Sequence, residues 1–574
     1  MDFHSLLLSL KMSMHSKNKF LQSREDQSPN KRLKANISDL LLDGSISGAR
    51  AASLFTDAQD AQAEGLEDLA GVSQNQNALR DLQRKLTKHS PWPPLYTAKV
   101  HMKSLATELV YVDTVNMLLP HEICHQLIHW NQNAGALPYA VEGLTPPARA
   151  RFLSFCRQFG KDASSTLPLG FWVDGVPVKW DRSESIILFT LNFPGQLHAD
   201  FKTLRIPLTM INKKFFVEET MKDLLGIISW SFTCLHAGFF PASPMPGQEP
   251  FKTWRQKQAG KPLNAGGMLI EIRGDWDAYK NWFGLAGWST TNCCYRCQAT
   301  SADIRDPSLT AAWRSQRKTL WQHLQECKFV SPLFSIPGVT LETFVIDWLH
   351  CMDLGMAADF AGNLLFHVLP CFPGRDIKQQ CKVLRRHLQS WYRNNPGWSN
   401  KLTSLTPLMI RKKNAKGQYT SPKLRASAGE MRSLVPWLLQ LAECTLDNNK
   451  PLENMMLAAT KHLVSMYQCL SRNQYSPAEM ATHCRKFLLL YVELEKNTAE
   501  GLWKFKPKFH MAQELCEHDL INPSVTWVYR DEDFGGSMAK VSKHRGGTHS
   551  ALAISRNALL KFVAGNEVPT WPVD

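Results

Sequence analysis

Residues 266–297, GGMLIEIRGDWDAYKNWFGLAGWSTTNCCYRC, decide how the rest of the chain is read. The apolar run MLIEI at 268–272 has the look of a short buried strand. It stops at Gly274-Asp275, where glycine leaves a carboxylate uncrowded at a strand end. A helical-looking segment follows, and then Cys294-x-x-Cys297, the spacing of a metal knuckle or of two thiols in a tight turn. Strand, acid, helix and cysteine pair in that order suggest a site, whose other parts must lie elsewhere in the chain.

The bulk composition narrows the classes. With 574 residues the chain has room for several domains or for one large core with insertions, and its 44% hydrophobic share is that of a chain that buries a core. An excess of 66 Lys and Arg over 51 Asp and Glu gives +15, which favours a polyanionic partner such as nucleic acid. No apolar run approaches the ~20 residues of a membrane span, and SLLLSL at 5–10 is too short for a signal peptide. The expectation is a soluble intracellular protein, nuclear or cytoplasmic, whose 14 cysteines are mostly reduced buried thiols. There is no P-loop, dinucleotide fingerprint or internal repeat.

Outward from the central stretch, residues 1–90 are polar and read as disordered or weakly helical, with a basic patch at Lys31-Arg32-Leu33-Lys34 and Lys17 and Lys19 upstream. Pro91-Trp92-Pro93-Pro94 marks a boundary, and 91–166 read as a helical domain. That domain contains His121-Glu122-Ile123-Cys124-His125, which on a helix resembles a zinc-peptidase motif, but QLIHW after it supplies no third ligand. From 167 the pattern changes to strands: 169–173, a turn at Asp174-Gly175, 176–180 and 185–193. Residues 209–239 read as one long helix, with Phe216, Met221, Leu224, Leu225 and Ile228 on its apolar face.

Residues 301–500 are helical in pattern and carry Asp347-x-x-His350. They also hold two basic stretches, around Arg385 and Arg386 and around Lys412 and Lys413, in which Trp391, Tyr392 and Trp398 are candidates for base stacking. Residues 501–550 contain Lys508-Phe509-His510, the acids Asp531, Glu532 and Asp533, and a basic turn with Lys540, Lys543 and Arg545. Residues 551–574 read as a tail.

This order of parts resembles the RNase H-like catalytic core of DDE/D transposases, especially cut-and-paste families of the CACTA and Plavaka kind. The matching residues are Val173-Asp174-Gly175, Gly274-Asp275-Trp276-Asp277-Ala278, Cys294-x-x-Cys297, Asp347-x-x-His350, Lys508-x-His510 and Glu532-Asp533-Phe534-Gly535, between about 167 and 545. The resemblance implies a mixed α+β fold, with 167–300 and 501–550 forming the RNase H-like core around a helical insertion at 301–500. It implies a catalytic triad of Asp174, Asp275 and Glu532 holding two Mg²⁺ or Mn²⁺ ions for phosphodiester hydrolysis and strand transfer. Its partners would be double-stranded DNA, both transposon ends and target, bound by a homo-oligomer in the nucleus.

Carboxylates suit that chemistry, because Mg²⁺ prefers hard oxygen ligands and two such ions can neutralise the attacking and leaving oxygens. Each acid also has a plain structural reading. Asp174 can belong to a turn, Asp275 can cap a helix, and any of Asp531, Glu532 and Asp533 can face the site, Glu532 being chosen by its Glu-x-Phe-Gly register. Cys294 and Cys297 read as structural zinc ligands with His350 third and Cys293 or His510 fourth, although Glu514 stands where the family often has a second histidine. Two further readings compete with an active transposase: a catalytically inactive, domesticated relative that binds DNA, and a zinc peptidase centred on His121 and Glu122.

Overall fold

The computed structural model describes residues 28–568, apart from 43–44, 89, 91, 131–140, 142–143, 145, 180, 195–204, 471–474, 543–549 and 567. Residues 28–88 fold into helices, chiefly Pro29–Leu42, Gly48–Asp60 and Ala78–Lys88, around a small core of Ile37, Leu41, Phe55, Leu69 and Leu82. Of the region read as disordered or weakly helical, 28–88 are helical, and 1–27, with Lys17 and Lys19, lie outside the described residues. Each helix contributes only a few apolar residues, so the stretch is polar in composition while its helices share one interior.

A hairpin follows, β1 (Tyr96–Lys103) and β2 (Val110–Met117), where a purely helical domain was expected. Tyr96, Ala98, Val100 and Met102 alternate inward with period two, which is the strand signal. The chain then turns into α1 (Pro120–Trp130) and, past helix Pro146–Gln158, enters the central sheet.

Among the described residues that sheet has four strands in the order β5-β4-β3-β6: β3 (Thr166–Pro177), β4 (Ser185–Asn192), β5 (Arg205–Asn212) and β6 (Gly266–Arg273). The three sequential strands pair antiparallel, and β6 joins β3 in parallel. β4 and β5 are buried along nearly their whole lengths, as expected of strands covered on both faces.

Two expectations change. Asp174-Gly175 is no turn: both residues stay in β3, opposite Leu188 and Ile187, and the chain reverses only after Pro177. Residues 205–212 are strand, so the helix α2 (Glu218–Ala237) starts later than its hydrophobic pattern suggested. Beyond β6 lies α3 (Trp276–Trp282), and one parallel bridge between Ile272 and Phe344 extends the sheet edge, with Val345 N donating to Ile272 O at 3.0 Å.

Residues 301–500 are mainly helical, as expected, with Ala357–Val368, Ile377–Asn394, Ala428–Thr445, Pro451–Gln468 and Pro477–Lys496 as the principal helices. The segment Leu349–Cys371 has the length and hydropathy of a membrane span, but 72% of its apolar window is buried inside the protein, so it is a core helix of this insertion. Trp391, Tyr392 and Trp398 are buried too, which corrects their assignment as base-stacking residues. The chain returns to the sheet through α4 (Pro507–Glu517) and α5 (Tyr529–Val541). The expected tail contains α6 (Ala551–Gly565), which packs on β2 and β5, with Ser555 Oγ accepting from Asn116 N at 3.0 Å.

α5 lies close on β3. A Cβ on Gly535 would come within 2.9 Å of Val176 Cγ2 and 3.0 Å of Trp172 Cη2, whereas one on Gly536 meets nothing within 4 Å. Gly536→Ala is therefore expected to stabilise by about 0.5–1 kcal/mol through helix propensity. Gly535→Val is expected to destabilise by about 1–3 kcal/mol through overpacking. Denaturant melts of the two variants check both.

Candidate active site

Asp174 stands on β3, Asp275 just past the end of β6 and Glu532 in the first turn of α5. They are 101 and 257 residues apart in the chain, and the fold gathers them into one group. The carboxyls of Asp174 and Glu532 share a hydrogen bond, and the charge of Asp275 acts on Asp174. Burial first, and then the neighbouring charge of Asp275, lifts Asp174 to about 6; burial and Asp174 lift Glu532 to about 9. The pair thus holds one proton between two oxygens near neutral pH, as close carboxyls do.

The capping reading of Asp275 holds at the same time, whereas Asp174 stays in strand and is not the turn residue expected. One oxygen of Asp174 accepts from Gly175 N at 2.6 Å, and Asp275 Oδ1 caps α3 by accepting from Ala278 N at 2.7 Å. Capping fixes the Asp275 rotamer, so structure and site use the same side chain.

The three consecutive acids of α5 divide by their surroundings. Asp531 is fully buried and paired: it accepts from Arg205 Nε at 2.6 Å, Asn192 Nδ2 at 3.0 Å and Arg273 Nη1 at 3.4 Å. Asp533 is exposed. Glu532 is the one that reaches Asp174.

Asp347 and His350 complete this group. Asp347 Oδ2 accepts from both His350 N and His350 Nδ1 at 2.8 Å, while its Oδ1 accepts from Val528 N at 3.0 Å, at the head of α5. Burial opposes a charge on His350, but the bond and charge of Asp347, together with Glu532 and Asp275, outweigh it and raise the imidazole to about 9. His350 lies in a π-helical turn, Leu349–Met356. A cavity of about 30 Å³, lined by Gly274, Asp347, His350 and Lys508 among others, has room for about one water or ion. Its signal in the sequence was Asp347-x-x-His350, which had been read toward zinc.

The cysteines belong to a different group. Cys294, Cys297, His510 and Glu514 are all buried, and one ligand atom from each lies within 4.8 Å of the others, so this cluster can hold a metal ion. His350 was the expected third ligand, but it pairs with Asp347 among the acids instead, and Cys293 Sγ points to Ala299 O. His510 and Glu514 take those places, since positions i and i+4 share one face of α4. Glu514 had been read as a lost ligand, although a carboxylate donor can replace an imidazole.

The His121 motif is structural. His121 Nδ1 and Ser231 Oγ are 2.7 Å apart, Glu122 is clamped by Arg255 at 2.6 and 2.8 Å, and His125 Nδ1 accepts from Asn264 N at 3.2 Å. Among the described residues no third ligand joins the two histidines. Of the basic residues singled out, Arg385, Arg386, Lys412, Lys413 and Lys540 are exposed, and Lys543 and Arg545 lie outside the described residues. Comparison with protein-family models and with curated proteins finds no match to this chain.

Two outcomes follow from these environments. Raised carboxyl values mean that the folded state favours the protonated forms, so their contribution is complete below an unfolded pKa near ~4 and is lost as pH rises through about 6 and then about 9. Metal-free protein is expected to melt lower at high pH, and Asp174→Asn to recover about 1–3 kcal/mol there, read from melts across pH in chelator. Glu122→Gln is expected to cost about 3–5 kcal/mol by leaving Arg255 unpaired, and to leave bound metal unchanged.

Proposed function

We propose that this chain is a DDE/D-type DNA transposase with an RNase H-like core, of the cut-and-paste kind represented by CACTA and Plavaka elements. The observation that carries the reading is the meeting of Asp174, Asp275 and Glu532 from a central strand, a neighbouring strand end and a late helix. The strand order β5-β4-β3-β6 with one parallel pair, and α5 laid across β3, support the fold half of the proposal. The +15 charge and the exposed Arg385, Arg386, Lys412, Lys413 and Lys540 support a polyanionic substrate.

The donor set fits Mg²⁺ or Mn²⁺. Two carboxyls are pressed together with Asp275 close by, and a divalent cation relieves the repulsion that otherwise keeps a proton on the pair. Asp174, Asp275 and Glu532 would together hold the ions. When bound, such ions polarise the scissile phosphate and lower the pKa of an attacking water or 3′-hydroxyl.

The chain's own residues set up the rest. Asp275 is oriented by its cap on α3, and Glu532 by the buried neighbour Asp531. His350, with Nδ1 committed to Asp347, keeps Nε2 for a proton or for contact with a phosphate oxygen. A cation held there beside the acids favours an anionic substrate without taking a carboxylate away from the ions.

The test uses linear and supercoiled double-stranded DNA, including the genomic sequence on either side of the gene, with Mg²⁺ or Mn²⁺. Strand nicking is expected, with at least a hundredfold loss in Asp174→Asn, Asp275→Asn and Glu532→Gln and little loss in Asp277→Asn. Salt-dependent binding without cleavage would replace this reading with the inactive DNA-binding one, and absence of both would sink the two together.

A further inference from the structure

The cluster of Cys294, Cys297, His510 and Glu514 lies outside the acid group and has features that buried thiols alone do not require. All four residues have 0% exposure. Cys297 Sγ is 3.2 Å from His510 Nε2, and His510 Nε2 is 3.6 Å from Glu514 Oε1. Tetrahedral zinc, with bonds of about 2.3 Å to sulfur and about 2.0 Å to nitrogen or oxygen, spaces its ligand atoms by about 3.3–3.8 Å. The two measured spacings are close to that range.

The surroundings also have the form of a ligand shell. Arg296 N points at Cys294 Sγ at 3.3 Å, the backbone N–H to sulfur contact that stabilises a thiolate in a Cys-x-x-Cys turn. Arg317 Nη1 donates to both Glu514 oxygens at 2.8 Å and is set opposite Cys297 by a backbone bridge, which orients the carboxylate from behind. The Trp313 ring meets His510 edge-on at 4.6 Å and closes that side of the cluster. A site with two thiolates, an imidazole and a carboxylate selects Zn²⁺ over Mg²⁺ by ligand softness.

We infer that Cys294, Cys297, His510 and Glu514 form a structural Zn²⁺ site that clamps the two feet of the helical insertion. Cys297 and His510 are 213 residues apart, so the ion closes a long loop whose closure entropy the chain would otherwise bear. The site is closed, with four protein ligands and no exposed face, which is the form of a structural zinc and not of a catalytic one. This inference does not depend on what the acid group does.

The experiment measures metal, not activity. Full-length protein purified under reducing conditions with Zn²⁺ supplied is expected to hold about one zinc per chain after dialysis, by elemental analysis. Cys297→Ser and His510→Asn are expected to lose it, Glu514→Gln to weaken it by about tenfold to a hundredfold, and His350→Asn and Asp174→Asn to keep it. If the cysteine variant proves insoluble, Co²⁺ exchanged into the wild-type chain is expected to show intense tetrahedral, thiolate-ligated absorption. Wild-type protein without stoichiometric zinc, zinc that survives both Cys297→Ser and His510→Asn, or an octahedral Co²⁺ spectrum would each overturn the assignment.

Discussion

A single buried carboxylate joins the last helix of the core to the sheet. Asp531 sits on α5 and takes hydrogen bonds from Asn192 at the end of β4, Arg205 at the start of β5 and Arg273 at the end of β6. Arg205 pairs with Asn192 in register, Asn192 with Gly170, and Gly170 with Glu271, so these groups form one polar row across the four strands. Burying an unpaired charge costs several kcal/mol, so α5 has few other resting places on this sheet. Glu532 is the next residue, and its direction toward Asp174 follows from where Asp531 is held.

The insertion is fastened to this core by the same means. Asp347 joins His350 to the backbone at the head of α5. Six residues on, buried Asp353 is bonded by the hydroxyls of Tyr467, in the insertion, and Tyr529, the first residue of α5. Burial lifts Asp353 to about 6, against the pull of Arg432. The start of α5 is therefore held from the sheet side and from the insertion side, through carboxylates that use both oxygens.

Much of this was legible in the chain because the relevant signals were local. The strand at 266–273, the Asp275 cap and the i, i+4 pair His510 and Glu514 each follow from short-range patterning. The hairpin β1–β2 was legible too, since Tyr96, Ala98, Val100 and Met102 alternate plainly, although it lies between a proline-rich boundary and the helical His121 segment. What could not be read is pairing at a distance. Asp-Gly is a turn signal in isolation, yet β4 pairs through it and keeps Asp174 in strand. His350 and His510 are both spaced plausibly for the cysteines, and only the packing of α4 decides between them. Only the Glu-x-Phe-Gly register of the resemblance separates Glu532 from Asp531 in the sequence, because the physical difference lies in two arginines 326 and 258 residues upstream of Asp531.

The separation of the acids in sequence also sets a timetable. During synthesis at roughly 5–20 residues per second, Glu532 follows Asp275 by on the order of 10–50 s. Throughout that interval β3 to β6 can pair, but Arg205 and Arg273 have no Asp531 to meet, and Asp174 has no Glu532. The nascent sheet holds Arg205 without Asp531, and Arg273 with Glu271 alone, while nearly the whole insertion is being made. An unfinished molecule thus cannot assemble the acid group early, and α5 closes the core only after the helices that will brace it exist.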